Sequence, residues 1–531
     1  GLFSNNPAVN QVKQERWAKG FPAEVKMHVR ERAYRAMASN ANTARKAAAQ
    51  VIGKIGVLDL NGEWPDLMKM LMEISVSEES STNYKLASLD SIGYILEESD
   101  NLDGFADYAL TSVINNIKPE KEPQIIISAL SSLRHALPFC HNNMEKPNER
   151  ETIVNAIIQC CTHQDMEVSL QAFGTLVELI AEYYDHLQDQ MEKLFKVTLS
   201  AIKEADEDVA KYATEFWNTI CEIEVDLKTA GEHCFNYSDA ALAEMVPVLC
   251  NAMTKQDHPE YDSDEWSLPI AASVSLKFFA QAVRESILQH LMPFIEANIH
   301  SETWQTQDAA LLSLVAVLEV PTESIREIVT TAIPLLLNLL EKSNVTAIRD
   351  NAAWTLGQIY KAHPEPAFKF SEDVFNYMGN ALQNESARIA AHACWTIHSM
   401  TESFGTHPES PVIKNYAMLL ETLLLTGDRD DAVHYGLRSS AYETIILLLL
   451  LSPEGTEPVY IQMLEATLQR LGTTITQTEN QALSEAAELC CGVIQVIVSK
   501  LGEPCETYVD QIMELLMNLL NCAIGKQVSN E

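Results

Sequence analysis

The run Arg349-Asp350-Asn351-Ala352-Ala353-Trp354-Thr355-Leu356-Gly357-Gln358-Ile359 decides the fold, because its pattern returns 41 residues later in Ala390-Ala391-His392-Ala393-Cys394-Trp395-Thr396-Ile397-His398-Ser399-Met400. Each run holds a small residue, an apolar residue four positions on, and another apolar residue three after that: Ala352/Leu356/Ile359 and Ala393/Ile397/Met400. Spacing of four then three keeps the three side chains on one helical face. The small first residue lets a neighbouring helix come close. Working outward, the triad recurs at Ala48/Ile52/Ile55, Ser88/Ile92/Ile95, Ala129/Leu133/Ala136, Ala172/Leu176/Leu179, Ala213/Trp217/Ile220, Ala272/Leu276/Phe279 and Ala310/Leu314/Val317. Beyond the opening pair it continues at Ala441/Ile445/Leu448 and Ala487/Cys491/Ile494. Steps between first residues are 40, 41, 43, 41, 59, 38, 42, 41, 48 and 46.

A second amphipathic helix fits between successive triads, as at Ile153–Gln159, Met191–Ile202 and Ile328–Leu340. Pro334 lies inside the last of these, which predicts a kinked first helix in that repeat. A period near 40 built from two helices matches HEAT or armadillo repeats. The expected fold is all-α: a right-handed superhelical solenoid of antiparallel helix pairs, one continuous array of roughly a dozen repeats over residues 1–531. Unrelated helical bundles would not give steps clustered so tightly. First helices should form an outer layer, and the triad-bearing second helices an inner, concave one.

Composition narrows the function. The 531 residues hold 37 Lys+Arg against 74 Asp+Glu, a net charge of −37. That balance argues against nucleic-acid binding, which needs clustered cations, and favours basic partners. Hydrophobic content of 47% supports an extensive core. The longest strongly apolar stretch, Thr444–Leu451, falls far short of the ~20 residues of a membrane span, so no membrane insertion is expected. Eleven cysteines show no C-x-x-C, and Cys160-Cys161 and Cys490-Cys491 sit in helical patterns. Buried reduced thiols and a reducing, intracellular compartment are expected, which makes the sequons at Asn236, Asn344 and Asn384 chance matches. The chain opens with Gly1; Ala8–Trp17 lacks a capping helix pair, and Leu515–Ile524 is an apolar helix with no successor. A piece of a longer array, lacking both ends, is expected.

Two constellations stand out. Within the 59-residue step, Asp257, Glu260, Asp262, Asp264 and Glu265 place five carboxylates in nine residues, and Pro259 makes 257–265 an acidic inter-helix loop. It is a solvated loop with no role, a calcium loop (the ligand spacing and turn glycine fail), or a docking site for a basic partner. The second constellation is aromatic. Trp354 and Trp395 sit one position off the small-apolar stripe, Trp304 precedes the Ala310 triad, and Trp266 closes the acidic loop. Their rings are core, or they stand at the edge of the packed face beside Asp308 and Asp350, where they would stack on Lys and Arg. His392 and His398 flank Trp395 without a third metal ligand. No catalytic or nucleotide-binding motif is present, so no enzyme, cofactor or metal is expected.

Several stretches carry a family resemblance in combination and in order. They are Glu15-Arg16-Trp17, Ser91-Ile92-Gly93-Tyr94-Ile95, Glu215-Phe216-Trp217, Thr254-Lys255-Gln256-Asp257 leading to Asp264-Glu265-Trp266, the Arg349–Thr355 run, and Leu437-Arg438-Ser439-Ser440-Ala441-Tyr442-Glu443. The chain resembles the importin-β (karyopherin-β) family of nuclear import receptors, from near residue 1 to at least residue 443. The resemblance implies a HEAT solenoid that binds cargo directly or through the basic helix of importin-α. It implies docking on Phe-Gly nucleoporins and cargo release when Ran carrying GTP binds. It implies a monomer moving between cytoplasm and nucleus through the nuclear envelope pore. By position, Trp266, Trp304, Asp308, Asp350, Trp354 and Trp395 would grip the adaptor's Lys and Arg. The acidic loop would meet both adaptor and Ran, and Arg438 would contact Ran. Leu110, Thr111, Ile114, Glu149 and Ile153 would take Phe-Gly repeats, with Thr152 where the family prefers phenylalanine. The rival reading from the residues is a HEAT scaffold of a phosphatase or coat-adaptor assembly.

Overall fold

The computed structural model describes residues 17, 20–60, 62–99, 104–256, 266–320, 322–476 and 481–529, and all regular structure among them is helical. Twenty-three helices of ten residues or more follow one another as α1 (Ala23–Ala36), α2 (Asn42–Asp59), α3 (Leu67–Val76), α4 (Thr82–Glu98), α5 (Ala106–Asn116), α6 (Pro123–Ala136), α7 (Pro147–Cys161), α8 (Met166–Tyr183), α9 (Met191–Glu204), α10 (Glu207–Ala230), α11 (Tyr237–Met253) and α12 (Leu268–Val283). They continue as α13 (Leu288–Asn298), α14 (Trp304–Leu318), α15 (Ile325–Lys342), α16 (Thr346–Ala362), α17 (Ser371–Asn384), α18 (Ala387–Phe404), α19 (Tyr416–Gly427), α20 (Leu437–Leu450), α21 (Glu457–Thr476), α22 (Gln481–Leu501) and α23 (Val509–Ser529). Odd numbers are first helices and even numbers are second helices. The chain separates into two compact units: Gly1–Ala252 with Glu265–Val283, and Met253–Asp264 with Arg284–Glu531.

All eleven triads fall in α2, α4 and the later even-numbered helices through α22, one per helix. Every triad residue is buried except Cys491, which is half-buried. In the first unit α2, α4, α6, α8, α10 and α12 pack side by side; in the second, α14, α16, α18, α20 and α22 do the same. Ten of the second helices, α2 to α10 and α14 to α22, also pack on their own first helices, so each unit is a two-layered HEAT stack. The expected all-α repeat fold is therefore the observed one.

Local chemistry sets the helix ends. Asp165 and Asp206 accept hydrogen bonds from the backbone N–H of Glu167 and Asp208, both at 3.0 Å, capping α8 and α10. Pro123 and Pro147 open α6 and α7, where a missing N–H costs nothing. The 24 residues of α10 end at Gly231, in left-handed conformation with φ of 72°. The length of α10, with the connection containing 257–265, accounts for the 59-residue step. α15 is continuous through Pro334, and α11 and α13 likewise contain Pro247 and Pro293, which the sequence reading did not single out.

Adjacent second helices are pinned by buried hydroxyls that donate to the neighbour's backbone. Ser132 Oγ reaches the Leu89 carbonyl at 2.8 Å, Thr396 Oγ1 that of Ala353 at 3.3 Å, and Thr444 Oγ1 that of Cys394 at 3.2 Å. Close approach is most acute at Gly53 of α2, where an added Cβ would run into Cβ of Tyr94 on α4. The clash is with the root of a side chain, which cannot swing away. Gly53→Ala is therefore expected to lose about 1–3 kcal/mol despite the better helix propensity of alanine. Urea unfolding followed by helical circular dichroism checks this; an unchanged or raised midpoint would show that helix spacing here is not limiting.

Candidate functional site

In the second unit, three neighbouring second helices each present one indole. Trp304 opens α14, Trp354 lies in α16 and Trp395 in α18, and all three are half-buried. The cause is position. Trp354 and Trp395 stand two residues after the small residue of their triads, which turns them from the packed stripe to its edge. The Trp395 ring lies across Gly357 of α16, where an added Cβ would meet the six-membered ring. On α18, Arg388, His392, Trp395 and His398 follow at helical spacing, all half-exposed. The face is thus a strip of indoles, imidazoles and one guanidinium over packed aliphatic residues.

The two carboxylates expected on this surface lie beneath it. Asp308 is 1% exposed and Asp350 2%. Asp308 accepts from Gln256 Nε2 at 2.8 Å and Asn351 Nδ2 at 2.6 Å, joining α14 to α16 and to the residue that precedes the acidic segment. Asp350 Oδ2 pairs with Arg388 Nε at 2.7 Å, joining α16 to α18. Its Oδ1 lies 3.3 Å from His392 Nε2 without the alignment of a hydrogen bond. A lone carboxylate between packed helices carries a large desolvation cost, so each is held by donors from its neighbours. Burial pushes the Asp308 carboxyl up to about 6; the Gln256 and Asn351 bonds oppose that rise, and the nearby Asp350 charge adds to it.

Other expected positions are distributed differently. Trp266, 49% exposed, belongs to the first unit, and its carbonyl accepts from Lys211 Nζ at 2.9 Å. Asp257, Glu260, Asp262, Asp264 and Glu265 lie outside the described residues. On α5, Leu110 and Ile114 are half-buried and Thr111 is exposed. On α7, Glu149 binds Lys146 Nζ at 3.0 Å and Asn143 Nδ2 at 2.8 Å, and Thr152 is exposed, its hydroxyl donating to the Asn148 carbonyl at 2.8 Å. Ile153 is only 2% exposed. It belongs to the apolar stripe with Val154 and Ile157 and is a core residue rather than part of an open surface. Arg438 is half-buried in the first turn of α20 and its Nε donates to the Gly427 carbonyl at 3.1 Å. Trp217 is core: its Nε1 donates to Thr198 Oγ1 at 2.9 Å.

Sequence reasoning missed Arg388, although it sits seven residues before Trp395 on the same helical face, and missed Gln256 as the tie to Asp308. Among the described residues no group of His, Cys, Asp and Glu side chains could hold a metal ion, and no helix is long and apolar enough to cross a membrane. The ten cysteines with described side chains all carry free thiols.

Residues 384–531 match the family described as importin subunit beta-1-like, TPR repeats, and residues 304–359 match the HEAT-like repeat. Importin subunit beta-1 of Schizosaccharomyces pombe is 30% identical over 549 residues, covering 98% of this chain and 63% of that protein. Among solved structures, the Kap95:Nup1 complex is similar with a TM-score of 0.90 at 26% identity, covering 98% of this chain and 62% of that one. A structure of Kap95p, whose binding induces the switch loops of RanGDP to adopt the GTP-bound conformation, is similar with a TM-score of 0.87 at 26% identity, covering 98% and 63%. The chain thus spans just under two thirds of the length of the relatives it matches.

The raised Asp308 pKa carries a sign. A carboxyl with its folded pKa above the unfolded value weakens folding as pH rises between the two, here from about 4 to about 6, and the loss persists above. Asp308→Asn is expected to gain about 1.4 kcal/mol of stability relative to the parent as pH goes from 5 to 7.5, roughly half of the ~3 kcal/mol that the full shift implies. Urea midpoints of both proteins across that range check it; a difference independent of pH would contradict the buried, titrating carboxyl.

Proposed function

The chain belongs to the importin-β family, and from that premise we propose that it is a nuclear import receptor that works by binding rather than by chemistry. In this reading the second-helix layer takes a cationic helical segment, from cargo or from importin-α. The carrying observation is the pair of half-buried indoles on adjacent helices, Trp354 and Trp395, with buried Asp350 one turn before Trp354 and paired to Arg388 on the helix of Trp395. Indole faces attract Lys and Arg through their quadrupole, and the aliphatic stems of those residues cover the exposed ring area. Asp308 and Asp350 act in this reading from below. They hold Gln256, Asn351 and Arg388 in place and supply negative charge beneath the rings. An incoming guanidinium would compete with Arg388 for Asp350, so Arg388 is part of the specificity of the site. The acidic residues 257–265 and the net charge of −37 would steer basic partners toward the chain.

The remaining roles follow as proposals. Leu110, Thr111 and Ile114, with Glu149, would form the first-helix surface for Phe-Gly nucleoporins, with Ile153 supporting it from the core. Support comes from the similarity to Kap95 in a complex with Nup1. Ran carrying GTP would release cargo, a reading supported by the similarity to Kap95p acting on Ran. Arg438 would meet Ran with its terminal guanidinium nitrogens while Nε holds the Gly427 carbonyl. Ligands would compete through overlapping sites and through small changes of inter-repeat packing, each favouring its own arrangement.

A Lys- and Arg-rich peptide able to form an amphipathic helix is expected to bind, with affinity falling steeply as salt rises. Trp354→Ala with Trp395→Ala should weaken it tenfold or more, a loss of about 1.4 kcal/mol, while helical circular dichroism stays unchanged. Fluorescence anisotropy at low and moderate salt reads the affinity. No binding at low salt would count against the receptor reading, and loss of helicity in the variant would make the indoles packing residues.

A further inference from the structure

The second unit carries a groove on its other helix layer, away from the indoles. It has a volume of about 610 Å³ and runs between the first helices α13 and α15. Ile295, Ile299 and Leu314 form a buried floor, and Met292, Ile328 and Leu335 form half-exposed walls. Exposed Glu296 of α13 and Glu327 of α15 face the mouth from opposite sides, beside His300, Ser324 and Thr331. No Lys or Arg lines it. The guanidinium adjacent in sequence, Arg326, pairs with Glu365 at 2.8 Å.

We propose that this groove docks a linear peptide that buries one aromatic or large aliphatic side chain between α13 and α15 and sets a Lys or Arg on each flank. The volume lies within the range of ligand-binding clefts. The floor offers apolar contact with no buried polar group to satisfy. Met292 supplies a flexible, polarisable wall that adapts to the shape of the anchor. Carboxylates on both rims select the flanks: cations there gain from complementary potential, while an anionic peptide meets like charge on either side. The groove lies on the first-helix layer and the indole strip on the second, so this site is separate from the one proposed for the basic helix and stands or falls independently of it.

The test uses the full chain and three fluorescein-labelled peptides: one Phe between pairs of Lys, the same peptide with Ser for Phe, and an uncharged Phe-Gly peptide. The first is expected to bind at least tenfold more tightly than either other, and hydrogen-exchange protection should concentrate in α13 and α15. The double variant Glu296→Lys and Glu327→Lys changes only exposed positions and should lose tenfold or more for that peptide. Equal binding of the uncharged Phe-Gly peptide, equal binding of the Ser peptide, or indifference to the charge reversal would overturn the proposal. Protection confined to α16 and α18 would overturn it by assigning the peptide to the indole strip.

Discussion

The structure depends on close packing between consecutive second helices. No helix pair of this length can bury both faces of its apolar stripe alone, so each must lean on its neighbours. The small residue at the head of each triad sets how near two second helices can come. Gly53 against Tyr94 shows the limit of that approach, and Gly357 beneath Trp395 shows the same spacing used to seat an indole. Buried hydroxyls at Ser132, Thr396 and Thr444 add direction to an otherwise non-directional contact.

That packing dictates what the surface can be. Once positions i, i+4 and i+7 are committed to the neighbour, position i+2 falls at the edge, and in α16 and α18 it holds tryptophan. Half-burial keeps these rings at the edge of the packed stripe, the setting that the proposed cation stacking requires. The same geometry places Asp308 and Asp350 at inter-helix seams, where a buried carboxylate needs donors from neighbouring elements. Gln256 and Asn351 serve one, Arg388 the other. In the proposed reading, recognition and cohesion between repeats share side chains, and a partner that engaged Asp350 would also act on the α16–α18 junction.

Much of the fold was legible because its signal is periodic. Triads from Ala48 to Ala487 marked the second helices, and Met191–Ile202 and Ile328–Leu340 fell inside first helices. Residue-level detail was less legible. Periodicity placed Trp354 and Trp395 at an edge, but charge alone suggested a surface carboxylate wall, whereas Asp308 and Asp350 are buried and paired. Helical phase could have identified Ile153 as core, since it stands beside Val154 and four before Ile157. The bond from Arg438 to the Gly427 carbonyl and the α13–α15 groove arise from contacts between elements, which spacing along one helix does not encode. The acidic segment 257–265 lies outside the described residues, so its expected role rests on composition and resemblance.

The central claim is that Trp354 and Trp395 meet a cationic helix while the core indoles stay apart from it. Fluorine NMR of the 5-fluorotryptophan-labelled chain, assigned by single Trp→Phe substitutions and titrated with a Lys- and Arg-rich helical peptide, reads each ring separately. The account predicts that the Trp354 and Trp395 resonances shift together along one binding curve while Trp217 stays fixed. Unmoved Trp354 and Trp395 signals at saturating peptide would contradict it.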